Sequence, residues 1–237
     1  MFGLFKKTYS LADLGIARGA VDHHSHILFG VDDGVRTLDE SLKTLSLLEQ
    51  QGLKTLWLTP HTMEDVPNTT EDLKARFEEL KAAYNGPVEL RLGSEYMIDT
   101  LFEARLEQGD LLIQGKNRVL VETSTWNPPI GLWDVLQRIK SKGYFPIIAH
   151  PERYNYMKDS DYDRLREMGC LFQLNIPSFL GLYGEHPKRK AEKLLSKGYY
   201  DMIGTDCHRF SMMEQIFSRK CLEKKDADRL AELYKFE

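Results

Sequence analysis

A chain of 237 residues with 42% hydrophobic and 29% charged residues can bury one large core and has the balance of a globular protein. Its formal net charge is −4 with both signs interspersed, so it lacks the basic footprint of a nucleic-acid binder, and it contains no run of about 18 apolar residues to cross a membrane. Three scattered cysteines, Cys170, Cys207 and Cys221, with no CxxC pair, exclude a disulfide scaffold and fit reduced thiols in the cytoplasm.

Residues 1–20 read as an extension ahead of the first strand. They lack the order of a signal peptide, since Phe2, Leu4 and Phe5 precede Lys6 and Lys7. Phe2, Leu4, Phe5, Leu11, Leu14 and Ile16 are expected to dock this arm on the domain; the alternative is a partner or membrane-surface contact through Lys6 and Lys7. Residues 21–237 form the single domain. Val21–Ile27 is predicted as a strand, which puts His24 and His26 on one face and His23 on the other. Thr37 to Glu40 has the form of a capping box, and Leu38, Leu42, Leu45 and Leu48 follow at helical spacing up to Gly52. Leu53–Thr59 is a second strand. The stripe Leu73, Phe77, Leu80, Tyr84 is a second helix, closed by Asn85-Gly86. Val88–Leu92 is a strand, Thr100–Glu107 a short helix, and Arg118–Val121 a fourth strand. Trp133, Leu136 and Ile139 mark a helix stopped by Gly143, and Tyr144–Ala149 a fifth strand. Leu165 and Met168 belong to a helix, Cys170–Asn175 is a sixth strand, Lys188–Lys197 a helix, Tyr200–Gly204 a seventh strand and 226–234 a terminal helix. Seven short apolar strands separated by helical patterns argue for an α/β fold whose parallel sheet closes into a barrel, with an open doubly wound sheet as runner-up.

The residues at the strand ends carry the chemistry. In chain order they are His24 and His26, then His61, Glu95, Glu122, His150, Asn175, and finally Asp206 and His208. In a parallel barrel these ends converge on one face, and five of the chain's seven histidines fall there, which chance placement would not produce. Imidazoles and carboxylates without thiolates suit Mn²⁺, Fe or Zn²⁺. The donors outnumber what one ion can take, so two ions about 3.5–4 Å apart, or three, are expected. Asp32 and Asp33 compete for one ligand place, because turn chemistry beside Gly34 explains the other. Asp33, Glu95, Glu122 and Asp206 would repel a phosphate on their own; roughly six positive charges from three divalent ions would reverse that. Arg153, three residues past His150, is placed to fork a phosphate oxygen. Asn175 is read as a hydrogen-bonding group for substrate or for a ligand. His186, before Pro187, is expected to face solvent. Thiol phosphatase chemistry is excluded, because the sixth residue after each cysteine is Ile176, Met213 or Ala227 rather than arginine. Neither a GxSxG elbow nor a GxxxxGK[ST] loop occurs.

Taken together, Asp22-x-His24-x-His26, the TPH ending at His61, the G-x-E ending at Glu95, IIAHPERY from Ile147 to Tyr154 and T-D-x-H from Thr205 to His208 resemble the polymerase and histidinol phosphatase (PHP) superfamily. The DDG after the first motif and AHPERY resemble its branch of manganese-dependent tyrosine phosphatases from bacterial capsule and exopolysaccharide loci. The resemblance implies a distorted (β/α)₇ barrel with two or three divalent ions, Mn²⁺ first and Fe or Zn²⁺ as alternatives. It implies His24, His26, Glu95 and Asp206 on one ion, Glu95 as a bridge with Glu122 and His150 on a second, and Asp33, His61 and His208 on a third. Arg153, His150 and Asp206 are expected at the reacting phosphoryl group, and Arg153, Arg209 and Asn175 as substrate contacts, Arg209 substituting for an arginine that relatives carry a few residues beyond the last histidine in a Gly-Arg-Pro context. The implied reaction is in-line attack of a metal-bridging hydroxide with no phosphoenzyme. The implied substrate is phosphotyrosine on a polysaccharide-assembly tyrosine kinase, met in the cytoplasm near the membrane. Histidinol phosphate or a nucleotide is the alternative substrate, and a non-catalytic kinase-binding barrel the alternative of another class.

Overall fold

The structure, a computed structural model, describes residues 7–236; Phe2, Leu4, Phe5 and Lys6, named above as docking or contact residues, lie outside them. Nine parallel-paired strands make two sheets. The smaller has the order β1 (Val21–Asp22), β2 (Thr55–Leu58), β4 (Glu89–Leu92); the larger runs β3 (His61–Thr62), β5 (Glu95–Met97), β6 (Arg118–Glu122), β7 (Phe145–Ala149), β8 (Leu171–Asn175), β9 (Met202–Gly204). Two of the seven expected strands, Leu53–Thr59 and Val88–Leu92, resume beyond a break as β3 and β5. Thr59-Pro60 breaks β2 from β3, since proline has no N–H for the ladder, and Gly93-Ser94 breaks β4 from β5. The break is bridged by Gly93 N donating to Leu58 O at 2.9 Å, Ser94 Oγ to Pro60 O at 2.7 Å and Glu95 N to Pro60 O at 3.1 Å. The ladder resumes with His61 in register with Glu95, so the split brings these two side chains level.

The expected strand Val21–Ile27 is regular only over Val21–Asp22. Beyond it the chain stays beside β9 by irregular bonds: His23 N to Ile203 O at 3.1 Å, Asp206 N to His24 O at 2.7 Å, His26 N to Cys207 O at 2.9 Å and a bridge of Ser25 with Cys207. These bonds close the two sheets into a barrel of seven strand positions. Helices cover its outside: α1 (Leu11–Leu14), α2 (Leu38–Gln50), α3 (Thr70–Ala83), α4 (Thr100–Gln108), α5 (Leu132–Ser141), α6 (Asp159–Glu167), α7 (Ile176–Phe179), α8 (Glu185–Ser196), α9 (Phe210–Ser218) and α10 (Lys224–Leu233). Short α7 and the longer α9 were not expected from the sequence, and His186 sits in the exposed first turn of α8 rather than in a loop.

Alternation along the strands divides the core. Val119, Val121, Ile148 and Ile203 face the helices in the main cluster, while Leu120, Ile147, Ala149 and Met202 form a second, interior cluster against which Phe236 packs. Phe236 also lies under Arg118 and accepts at its carbonyl from His23 Nε2 at 2.9 Å, so the chain after α10 stops the barrel floor. The arm before β1 is docked: Leu11 and Ile16 are buried and Tyr9 N donates to Leu222 O at 2.9 Å.

Candidate metal centre

At the other end of the barrel, three groups of donor atoms lie together, each group within 4.8 Å: His24, His26, Glu95 and Asp206; His61, Glu95 and Glu122; and His26, Asp33, His61 and His208. Glu95 belongs to both of the first two groups. Its Oε2 is 3.1 Å from His24 Nε2, 3.3 Å from His26 Nε2 and 3.1 Å from His61 Nδ1, whereas Oε1 is 3.0 Å from His150 Nε2. His150 also reaches Glu122 at 3.6 Å, so it joins the second group. Asp33 Oδ1 stands 3.6 Å from His61 and 3.5 Å from His208 on the solvent rim. Eight of the nine residues read from the strand ends, together with Asp33, are therefore in one place, and the ninth, Asn175, lies behind Asp206.

Their orientation is set from behind. His24 Nδ1 donates to Gln173 Oε1 at 2.9 Å, His26 Nδ1 to Asp32 Oδ2 at 2.8 Å and His208 Nδ1 to the Asp206 carbonyl at 2.8 Å. Each partner is an acceptor, so the proton sits on Nδ1 and the Nε2 lone pair faces the cluster. Asp32 further accepts from Gly34 N and His61 N. The adjacent aspartates thus differ in kind: Asp32 braces, Asp33 faces the centre. Two ligand-type residues, His150 at φ 34° and Asp206 at φ 48°, hold left-handed backbone without being glycine, a strain of about 1–3 kcal/mol each that tends to collect at functional sites.

Charge and satisfaction fit divalent cations. Burial pushes the acids up, but His24, His150 and His26 hold Glu95 well below the carboxylate range, and His24, His26, His208 and Arg153 do the same for Asp206. Burial pushes His24 and His26 down, and their carboxylate neighbours more than reverse it. His61, lowered by burial and by His26, is carried up to about 10 by Glu122 and Glu95. Positive charge is thus favoured at these rings, where cations would stand. His61 Nδ1, Glu95 Oε2 and Glu122 Oε1 are buried atoms with no aligned hydrogen-bond partner among the described residues, although His61 Nδ1 lies 3.1 Å from each of the two oxygens. Donors that converge without bonding one another are what a metal needs.

The family model described as "Capsular polysaccharide synthesis, CpsB/CapC" matches residues 20–230. The chain belongs to this family. It is 29% identical over 205 residues to the tyrosine-protein phosphatase CpsB of Streptococcus agalactiae serotype V, covering 79% of this chain and 82% of that one. Among solved structures, one from a study of YwqE from Bacillus subtilis and CpsB from Streptococcus pneumoniae, described as metal-dependent tyrosine phosphatases, superposes with a TM-score of 0.72 at 25% identity over 81% of each chain. The histidinol phosphate phosphatase of Lactococcus lactis shares the fold, with a TM-score of 0.56 at 15% identity over 92% of this chain and 95% of that one.

In this CpsB/CapC chain the donor groups open into a cavity of about 610 Å³, walled further by Met63, Arg153, Tyr183, Arg209 and Met212. Arg153 Nη1 donates to Asp206 Oδ2 at 2.8 Å, while Asp206 Oδ1 faces His24 and His26 at 3.5 and 3.4 Å. Asn175 is fully buried and does not line the cavity; its amide donates to the same Asp206 oxygen at 2.6 Å. Arg209 is exposed at the cavity rim. His23 is off the centre, on Phe236, with burial pushing it down to about 4. Sequence reading missed Gln173 and Tyr183. Gln173 lies two residues before Asn175 on β8 and so shares its face, a signal that was available; Tyr183 sits in a loop and had none.

Proposed function

We propose that this chain is a metal-dependent phosphomonoesterase that removes phosphate from phosphotyrosine on a protein, with a tyrosine kinase of polysaccharide assembly as the substrate. The observation that carries the reading is the nine-residue cluster of converging donors opening beside a cavity-lining arginine. His24, His26, Glu95 and Asp206 would hold one ion, Glu95, Glu122 and His150 a second, and Asp33, His61 and His208 a third; Mn²⁺ is the proposed metal. Bound ions would supply charge for the phosphate oxygens and acidify a water. Arg153 would take the remaining phosphoryl oxygens in a charge-assisted contact, with Asp206 and, through it, Asn175 fixing its direction. Arg209 extends the positive rim toward the substrate. A phenol, pKa about 10, leaves more readily than an alkyl alcohol, so the reaction needs no dedicated acid beside Arg153. It consumes one water and yields tyrosine and inorganic phosphate. Residues 21–237 are proposed as the catalytic unit and 1–20 as an appended arm. A cytoplasmic site of action is supported by three unpaired cysteines, and no described helix is long and apolar enough to cross a membrane.

EDTA followed by metal-free dialysis should abolish turnover of a phosphotyrosine peptide, with Mn²⁺ restoring it; full activity without metal sinks the proposal. In the same assay His150→Ala should lose turnover, while iodoacetamide and Cys207→Ser should have little effect. Burial pushes the Cys207 and Cys170 thiols up to about 12, which leaves almost no thiolate at neutral pH. Histidinol phosphate and a short oligonucleotide, run beside the peptide, distinguish the substrate classes.

A further inference from the structure

Tyr183 belongs to a four-residue turn, Gly181-Leu182-Tyr183-Gly184, between α7 and α8. Both glycines have positive φ, 75° and 92°, which glycine adopts without the Cβ penalty. The turn is pinned at its start by Gly181 N to Ser178 O at 3.0 Å and Leu182 N to Pro177 O at 2.9 Å. Leu182 packs on the main core, and Tyr183 is directed the other way, into the cavity wall. There its ring lies against Arg153, with Cζ 4.7 Å from the ring centroid. Tyr183 itself is 38% exposed, so a large aromatic ring stands partly open to water beside Arg153.

Arg153 is thus held on two sides. Asp206 Oδ2 accepts from Nη1 at 2.8 Å, and the guanidinium carbon lies over the Tyr183 ring. The carboxylate alone would fix a distance but leave the plane free to swing about the bond. A ring in contact with the guanidinium restricts that swing and leaves the outer N–H groups free to donate.

We propose that Tyr183 is a positioning residue: its ring orients the Arg153 guanidinium so that the free N–H edge is presented to a phosphate in the cavity. This rests on the reading of Arg153 as a phosphate contact. Acting through Arg153, the ring should influence anion binding without touching the anion.

The test is a double-mutant cycle on the Mn²⁺-loaded protein, with the Kd for inorganic phosphate read by calorimetry. Tyr183→Leu should weaken phosphate about 2- to 10-fold, the range of a partly exposed cation–π contact, whereas Tyr183→Phe and Tyr183→Trp, which keep a ring, should bind as the parent does. In an Arg153→Ala background Tyr183→Leu should have no further effect. Equal weakening with and without Arg153 means that the ring meets the anion itself and overturns the proposal, as does an unchanged Kd in Tyr183→Leu beside a weakened Arg153→Ala. If Arg153→Ala itself leaves phosphate binding unchanged, the reading of Arg153 fails instead. A second measurement needs neither metal nor phosphate: rotation about the Arg153 Nε–Cζ bond, read by nitrogen NMR in metal-free protein. It should be faster in Tyr183→Leu than in the parent and in Tyr183→Trp; an unchanged rate overturns the proposal. Melting temperatures separate these effects from loss of fold.

Discussion

Gly204, the last residue of β9, has no side chain because there is no room for one. A Cβ there would stand 2.5 Å from His24 Cβ and 2.7 Å from Gln173 Nε2, the amide that orients His24. Gly204→Ala is therefore expected to push His24 off its bearing. Overpacking of about 1–3 kcal/mol should lower the melting temperature, and Mn²⁺ affinity measured by calorimetry should fall more than stability does. At this scale the sequence was unevenly legible. Imidazoles and carboxylates at strand ends announced eight of the clustered residues, because those types in that place have few other uses; Asp33 lies in the turn after the first strand. Spacing could not separate Asp32 from Asp33, since both follow the same turn; only the three hydrogen bonds accepted by Asp32 do so. Gln173 shared the alternation of Asn175 but carries an amide that is common in any strand.

Among the elements, helices with their own end signals could be read and those capped from afar could not. Thr37 accepts from Glu40 N at 3.3 Å as its sequence suggested, but Glu40 does not complete the box. Its carboxylate reaches instead to Phe210 N at 3.1 Å. It thus supplies the cap that Arg209 does not give α9. That remote partner is why α9 escaped notice although Met213, Ile216 and Phe217 have helical spacing. Because α9 carries Met212 and follows Arg209 in the cavity wall, Glu40→Ala should loosen the wall without touching a donor atom. Loss of one charge-assisted bond at a partly exposed end, about 1 kcal/mol, should raise KM for a phosphotyrosine peptide a few-fold and leave kcat nearly unchanged. The splitting of two strands was invisible for another reason: Pro60 and Gly93 read equally well as strand ends, and only pairing across the break shows the ladder resuming.

For the molecule as a whole, alternation of apolar strands and amphipathic helices foretold the parallel α/β barrel, and the polar strand ends foretold which rim would matter. Closure of the ring was expected, but the means were not foretold, because they are irregular bonds between the His23–His26 segment and the chain around β9. The floor was not either. Phe236 fills it by packing on Leu120, Ile147, Ala149 and Met202 and by accepting from His23. Ending the chain at Lys235 removes that plug and leaves the buried His23 Nε2 unpaired, a cost of about 1–3 kcal/mol, which should lower the melting temperature by several degrees in calorimetry. His23 and His24 are consecutive residues, one ring held by the tail beneath the barrel and the other aimed at the donor cluster above it. Occupancy above and docking below are expected to be coupled through this pair, and such coupling is reciprocal: whatever factor the seated tail contributes to ion affinity, the ion returns to the seating of the tail. Loading with Mn²⁺ should accordingly slow carboxypeptidase trimming past Phe236, turning digestion of one end of the chain into a gauge of what is bound at the opposite end of the barrel.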